Sequence, residues 1–130
     1  MSAFEGKPAA DLIEIKDLLV RGIVGVNEDE RRKRQDILVN LVLETDIRKA
    51  AEADDIESAC NYRTVSKAII RMVEASSYFT VEKLATEIAR IVLQDAMVKS
   101  VRVTVEKPGA LRFARSVGVT VVRSPEDFIS

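Results

Sequence analysis

Lys107 stands immediately before Pro108 and Gly109 in the stretch EKPGA, where an alternating apolar run ends and the chain must turn. Most lysines are solvated and inert, but a lysine mounted at the end of a strand is a candidate acid or base. Glu82, in FTVEKL, sits at the start of a helical pattern. A carboxylate in a first turn gains from the positive end of the helix dipole. It can equally accept two parallel hydrogen bonds from a flat heterocycle with adjacent N–H donors, such as a 2-amino-4-oxo pyrimidine ring. Tyr62 in CNYRTV precedes another helical pattern and fits either a packing role or that of a proton donor. Glu30, inside the charged run NEDERRKRQ, reads by itself as a solvated loop acid, and Cys60 as a small buried hydrophobe.

The composition narrows what these groups can do. Histidine is absent and cysteine occurs once, which removes most zinc-ligand sets and every His-based triad. Acid–base chemistry is left to Lys, Tyr, Glu and Asp, with neither metal nor cofactor expected. Lysine and arginine number 20 against 21 acidic residues, for a net charge of −1 without a long basic tract, so nucleic acid is an unexpected partner. Arg112 and Arg115 in KPGALRFARS are the candidates for an anionic group. No Gly-rich phosphate loop or dinucleotide fingerprint is present. No apolar stretch approaches the roughly 20 residues of a spanning helix, and the opening MSAFEGKPAADLIEIK does not resemble a signal peptide. A soluble cytoplasmic protein, away from membranes, is the expectation.

The elements that must position these residues follow from periodicity. At 130 residues the chain has the length of one domain. Residues 1–10 read as a loose lead-in, 11–123 as the domain and 124–130 as a tail. Leu12, Ile13 and Ile15 alternate roughly with charged neighbours, predicting a half-buried strand. In DILVNLVLETD, Ile37, Val39, Leu41 and Leu43 share one fully apolar face, and the other face is mixed. NEDERRKRQ reads as a solvated connection and IRKAAEADDIESACNY as a loop with a helical turn. Val65, Ile69, Met72 and Val73 form a helical stripe, as do Val81, Leu84, Ile88, Ile91 and Val92, the second opened by Thr80 as N-cap. VRVTVE and VGVTVV alternate again as strands. The order ββααββ predicts an α+β fold, a four-stranded antiparallel sheet with two helices on one face. Its open edges and half-apolar second face predict closure into a ring by oligomerisation.

Read in order, GVNEDERRKRQDILVNL, DDIESACNYRTVSKAII, VEKLATEIARIVL and VRVTVEKPGALRFARSVGVTVVR resemble the bacterial dihydroneopterin aldolase family, over about residues 12 to 123. The resemblance implies a tunnelling fold, in which four subunits close a barrel and two rings stack into a homo-octamer with sites between subunits. It implies retro-aldol cleavage of 7,8-dihydroneopterin in folate synthesis, with epimerisation at the 2′ carbon as a side activity. By motif, Lys107 and Tyr62 match the catalytic lysine and tyrosine, and Glu30 the acid near the reacting end. Glu82 matches the pterin anchor, with the backbone of Val81 beside it, and the backbone around Cys60 and Asn61 lies against the substrate. NYRTV and ALRFA also resemble the branch that epimerises dihydroneopterin triphosphate, whereas RGIVGV and EKPGA look more like the aldolase branch. A pterin-binding ring without turnover is the alternative of a different class.

Overall fold

A computed structural model describes residues 11–129, so the lead-in over residues 1–10 lies outside the described residues. The elements run β1 (Asp11–Val24), α1 (Glu28–Arg32), β2 (Gln35–Thr45), α2 (Arg48–Ala53), α3 (Tyr62–Ala75), β3 (Ser77–Tyr78), α4 (Val81–Val92), β4 (Val98–Pro108) and β5 (Ser116–Arg123). Single 3-10 turns cover Ile56–Ser58 and Pro125–Phe128. The strands lie in the order β3-β1-β2-β4-β5.

The antiparallel sheet with two long helices on one face is present. The expected four strands and two helices need correcting in two places. A two-residue strand, β3, falls in SSYFT and runs parallel to the end of β1, pairing Ile23 with Ser77 and Val24 with Tyr78. The charged stretch read as a plain connection contains α1, which buries none of its residues and so left no apolar period to read.

The alternation in β2 and β4 does what a period of two demands. Ile37, Val39, Leu41 and Leu43 face Val101, Val103 and Val105 in one buried layer. Onto that layer α3 lays Val65, Ile69 and Val73, and α4 lays Leu84, Ala85, Ile88, Ala89 and Val92. Each fully buried Leu or Ile contributes roughly 1.5–3 kcal/mol of transfer free energy. β1 keeps its apolar side inward by a bulge. Between Ile15, opposite Leu41, and Leu18, opposite Val39, two residues oppose the single Asn40. Asp17 takes φ 55 there, and its amide donates to Asn40 Oδ1 at 2.8 Å. The tail folds back as well: Phe128 packs against the core beneath Arg90, whose guanidinium lies 4.4 Å from the ring centroid. The sheet ends on β5 at one side and on β1, covered only by β3, at the other.

Candidate functional site

Lys107 continues the inward row of Val101, Val103 and Val105, so its stem is buried and only 8% of the residue is exposed. Its Nζ donates to Glu30 Oε2 at 2.5 Å, joining residues 77 positions apart. Glu30 is presented by the single turn of α1, where Asn27 N donates to its Oε1 at 3.4 Å in a capping box. The hydrogen bond from Lys107 holds the Glu30 carboxyl below the usual glutamate value, helped by the Asn27 amide and opposed by desolvation. Gly25 passes directly beneath this carboxylate at φ +145, a conformation that L side chains rarely adopt. The expectation of a solvated loop acid at position 30 is thus corrected: its partner is a buried lysine.

Val81 and Glu82 open α4, and Thr80 caps the helix as expected, accepting from Lys83 N at 3.1 Å. Val81 is half-buried against the core and Glu82 is exposed. The short connection from Val92 to Val98 keeps the C-terminus of α4 by the start of β4, so the N-terminus of α4 points towards the end of the sheet that carries Lys107. The segment before it is pinned to that same end, because Gly25 N donates to Tyr78 O at 3.2 Å. Lys83 N is taken by the Thr80 cap, whereas the amides of Val81 and Glu82 before it have no carbonyl in a preceding turn and face outward at the positive end of the helix.

Cys60, Asn61 and Tyr62 form a second cluster, organised by Asp95. Asp95 Oδ2 accepts from Asn61 N at 3.1 Å and Oδ1 from Met97 N at 2.9 Å. Asn61 caps α3 by accepting from Thr64 N at 3.1 Å. Burial, reinforced by the Asp95 carboxylate, pushes the Cys60 thiol up to about 12, so it is a neutral packing group. Tyr62 is not packed away: it is 56% exposed and lines a groove of about 930 Å³ with Cys60, Asn61, Arg63 and Met97.

The two clusters lie at opposite ends of β4. Asp95 and Met97 lead into Val98, and at about 3.3 Å per residue Lys107 is roughly 30 Å further along. One chain therefore brings Lys107 to Glu30, and Cys60 to Asn61 and Tyr62, but does not bring Tyr62 to Lys107. The described residues contain no group of three or more His, Cys, Asp or Glu that could hold a metal ion. Gly25, Arg31 and Asp95 shape these clusters and were not singled out for that from sequence, since only the fold reveals what they touch.

The dihydroneopterin aldolase family model matches residues 13–122. The chain belongs to the dihydroneopterin aldolase family. Among its relatives, the dihydroneopterin triphosphate 2′-epimerase of Pseudomonas aeruginosa is 42% identical over 115 residues, covering 88% of this chain and 94% of that protein. The dihydroneopterin aldolase of Haemophilus influenzae is 34% identical over 113 residues, covering 87% and 96%. The crystal structure of Escherichia coli dihydroneopterin aldolase in complex with neopterin matches with a TM-score of 0.84 at 31% identity, covering 88% of this chain and 99% of that one. Both names thus occur among family members that resemble the chain over most of its length. No helix among the described residues is long and apolar enough to cross a membrane.

Proposed function

We propose that this chain cleaves 7,8-dihydroneopterin by a retro-aldol reaction to 6-hydroxymethyl-7,8-dihydropterin and glycolaldehyde, a step of folate synthesis in the cytoplasm. The observation that carries this reading is the Lys107–Glu30 pair, sunk at the end of β4 where a proton can be held and moved away from bulk water. The 2′ hydroxyl loses its proton, the C1′–C2′ bond breaks and C2′ leaves in the aldehyde. The electron pair left at C1′ passes into the C6–N5 bond of the ring, so no Schiff base and no metal is needed. Protonation of C1′ then completes the hydroxymethyl product. Lys107 and Tyr62, with a water, serve the two proton transfers, and Glu30 holds the lysine in place. Glu82 receives the paired N–H donors of the pterin, with the Val81 backbone beside it.

Because Tyr62 and Lys107 stand at opposite ends of a subunit, the site is completed by a second copy of the chain, with Cys60 and Asn61 arriving on the same neighbour as Tyr62. The open edges at β5 and β1 supply the means. Joined edge to edge they close a barrel of four subunits, and two such rings make the octamer. Leu12, Leu19 and Val122, exposed in one chain, accord with that burial.

A second reading has an observation in its favour. The relatives named triphosphate 2′-epimerase from Pseudomonas aeruginosa and Escherichia coli are 42% and 39% identical, against 34% for the Haemophilus influenzae aldolase. Epimerisation uses the same cleavage followed by re-addition to the opposite face of the aldehyde. It asks in addition for cations near the end of the side chain, and Arg112 and Arg115 lie on the exposed loop that follows Lys107. Incubating the purified protein with 7,8-dihydroneopterin and, separately, its triphosphate decides between them. Glycolaldehyde from the first substrate supports the aldolase. The 2′ epimer of the second without glycolaldehyde supports the epimerase. Binding of both with no product would overturn either activity in favour of a pterin-binding ring.

A further inference from the structure

We infer that Arg31 is a positioning residue that locks the heterocycle-binding end of the site to its proton-transfer end. The inference rests on the reading of Glu82 and Lys107 given above. Arg31 follows Glu30 on α1, and its guanidinium reaches back across the end of the sheet. Nη1 donates to Gly25 O at 3.2 Å and to Tyr78 O at 3.0 Å, and Nη2 donates to Ser77 O at 2.5 Å. The same guanidinium lies 3.9 Å from the centroid of the Phe79 ring. Four contacts therefore join the turn that carries Glu30 to Gly25 beneath it and to the three consecutive residues Ser77, Tyr78 and Phe79.

That run needs holding. β3 is two residues long and meets β1 through two residue pairs, too little for a strand to keep its own place. A planar fork with five donors, stacked on a ring, can satisfy several carbonyls in one plane, which an ammonium on a flexible stem cannot do. Val81 and Glu82 follow Phe79 within three residues and are fixed to it by the Thr80 cap. The position of the Glu82 carboxylate relative to the Glu30–Lys107 pair is thus set through Arg31, although Arg31 need touch no substrate. Misplacement of a bound group by about 1 Å can cost on the order of a hundredfold in rate.

Guanine is the probe that separates the two ends: it offers adjacent N–H donors to a carboxylate but has no side chain to reach the Lys107 end. Titrate guanine into the oligomeric wild type, Arg31→Lys, Phe79→Leu and Glu82→Ala, and measure kcat and KM on the substrate the wild type turns over. The expected result is that Arg31→Lys weakens guanine at least tenfold and lowers kcat at least tenfold, with Phe79→Leu in between. A residue that serves stability alone would lower the melting temperature and leave both constants where they were, and that outcome overturns the inference. If Arg31→Ala fails to fold, Arg31→Lys and Phe79→Leu carry the test. Weakened guanine binding in Glu82→Ala with none in Arg31→Lys sinks the inference alone. Unchanged binding in Glu82→Ala removes the Glu82 anchor itself, and the inference with it.

Discussion

Gly25 and Glu30 share one space: a Cβ on residue 25 would lie 2.3 Å from both the carboxyl carbon and Oε1 of Glu30. The carboxylate that meets Lys107 can lie where it does only because the backbone under it has no side chain. Substituting Gly25→Ala should therefore cost about 1–3 kcal/mol of stability through the positive φ alone, and move Glu30 off Lys107 as well. Gly109→Ala is the control. Its φ is also positive, at +73, yet no atom lies within 4 Å of the added carbon. Melting curves should show a loss in both variants, whereas turnover should collapse in Gly25→Ala and stay within a few-fold of wild type in Gly109→Ala.

Lys107→Ala should reduce turnover by roughly a hundredfold to ten-thousandfold, the usual worth of a positioned acid–base group. It is the last inward position of β4, one step beyond Val105, so the Val101–Val105 layer stays filled and size-exclusion chromatography should show the same assembly as wild type. Ordinary turnover in a folded Lys107→Ala protein would end the proton-transfer assignment.

The Glu30–Lys107 pair should be visible in the pH dependence of stability. The folded-state pKa of Glu30 is depressed below an ordinary 4.5, so the unfolded chain binds more protons as the pH falls through that range. The stabilisation is fully present above about pH 4.5 and is lost progressively as the pH drops through the folded value. Melting temperatures of wild type should fall more steeply below pH 4.5 than those of Glu30→Gln. Parallel curves would mean the pair contributes nothing to folding.

Cys60, with its thiol near 12, should resist alkylation by iodoacetamide at pH 8 in the native protein and react at once in urea. Asp95→Asn removes the charge that adds to burial, and its larger effect should be on Asn61, whose amide donates to Asp95, and through it on the neighbouring Tyr62. Rapid labelling of the native thiol would show that the Cys60–Tyr62 segment opens freely.

Much of the fold was legible because β2, β4, α3 and α4 each bury a full stripe, and burial writes a period into the sequence. The pieces that complete the candidate site bury little and write none. α1 is five residues without a buried side chain, β3 is two residues long, and both are held by Arg31 and Gly25 rather than by their own pattern. Lys107 was legible as a strand-end lysine, but its partner lies 77 positions away in a run of charges where any acid looks alike. The separation of Tyr62 from Lys107 was not legible from spacing, since it depends on α3 and β4 placing them at opposite ends of the sheet.

The extra residue in β1 acts as a frameshift in the strand. Before it, odd-numbered positions Ile13 and Ile15 face the helices; after it, even-numbered Leu18, Val20 and Val24 do. Deleting either Lys16 or Asp17 would bring Leu18 two places after Ile15 and leave a regular strand, with both halves still facing the helices and no bulge between them. The segment that delivers Gly25 therefore takes its phase from β2 locally, through Val20 opposite Ile37, and keeps it independently of how the first limb of the strand is written.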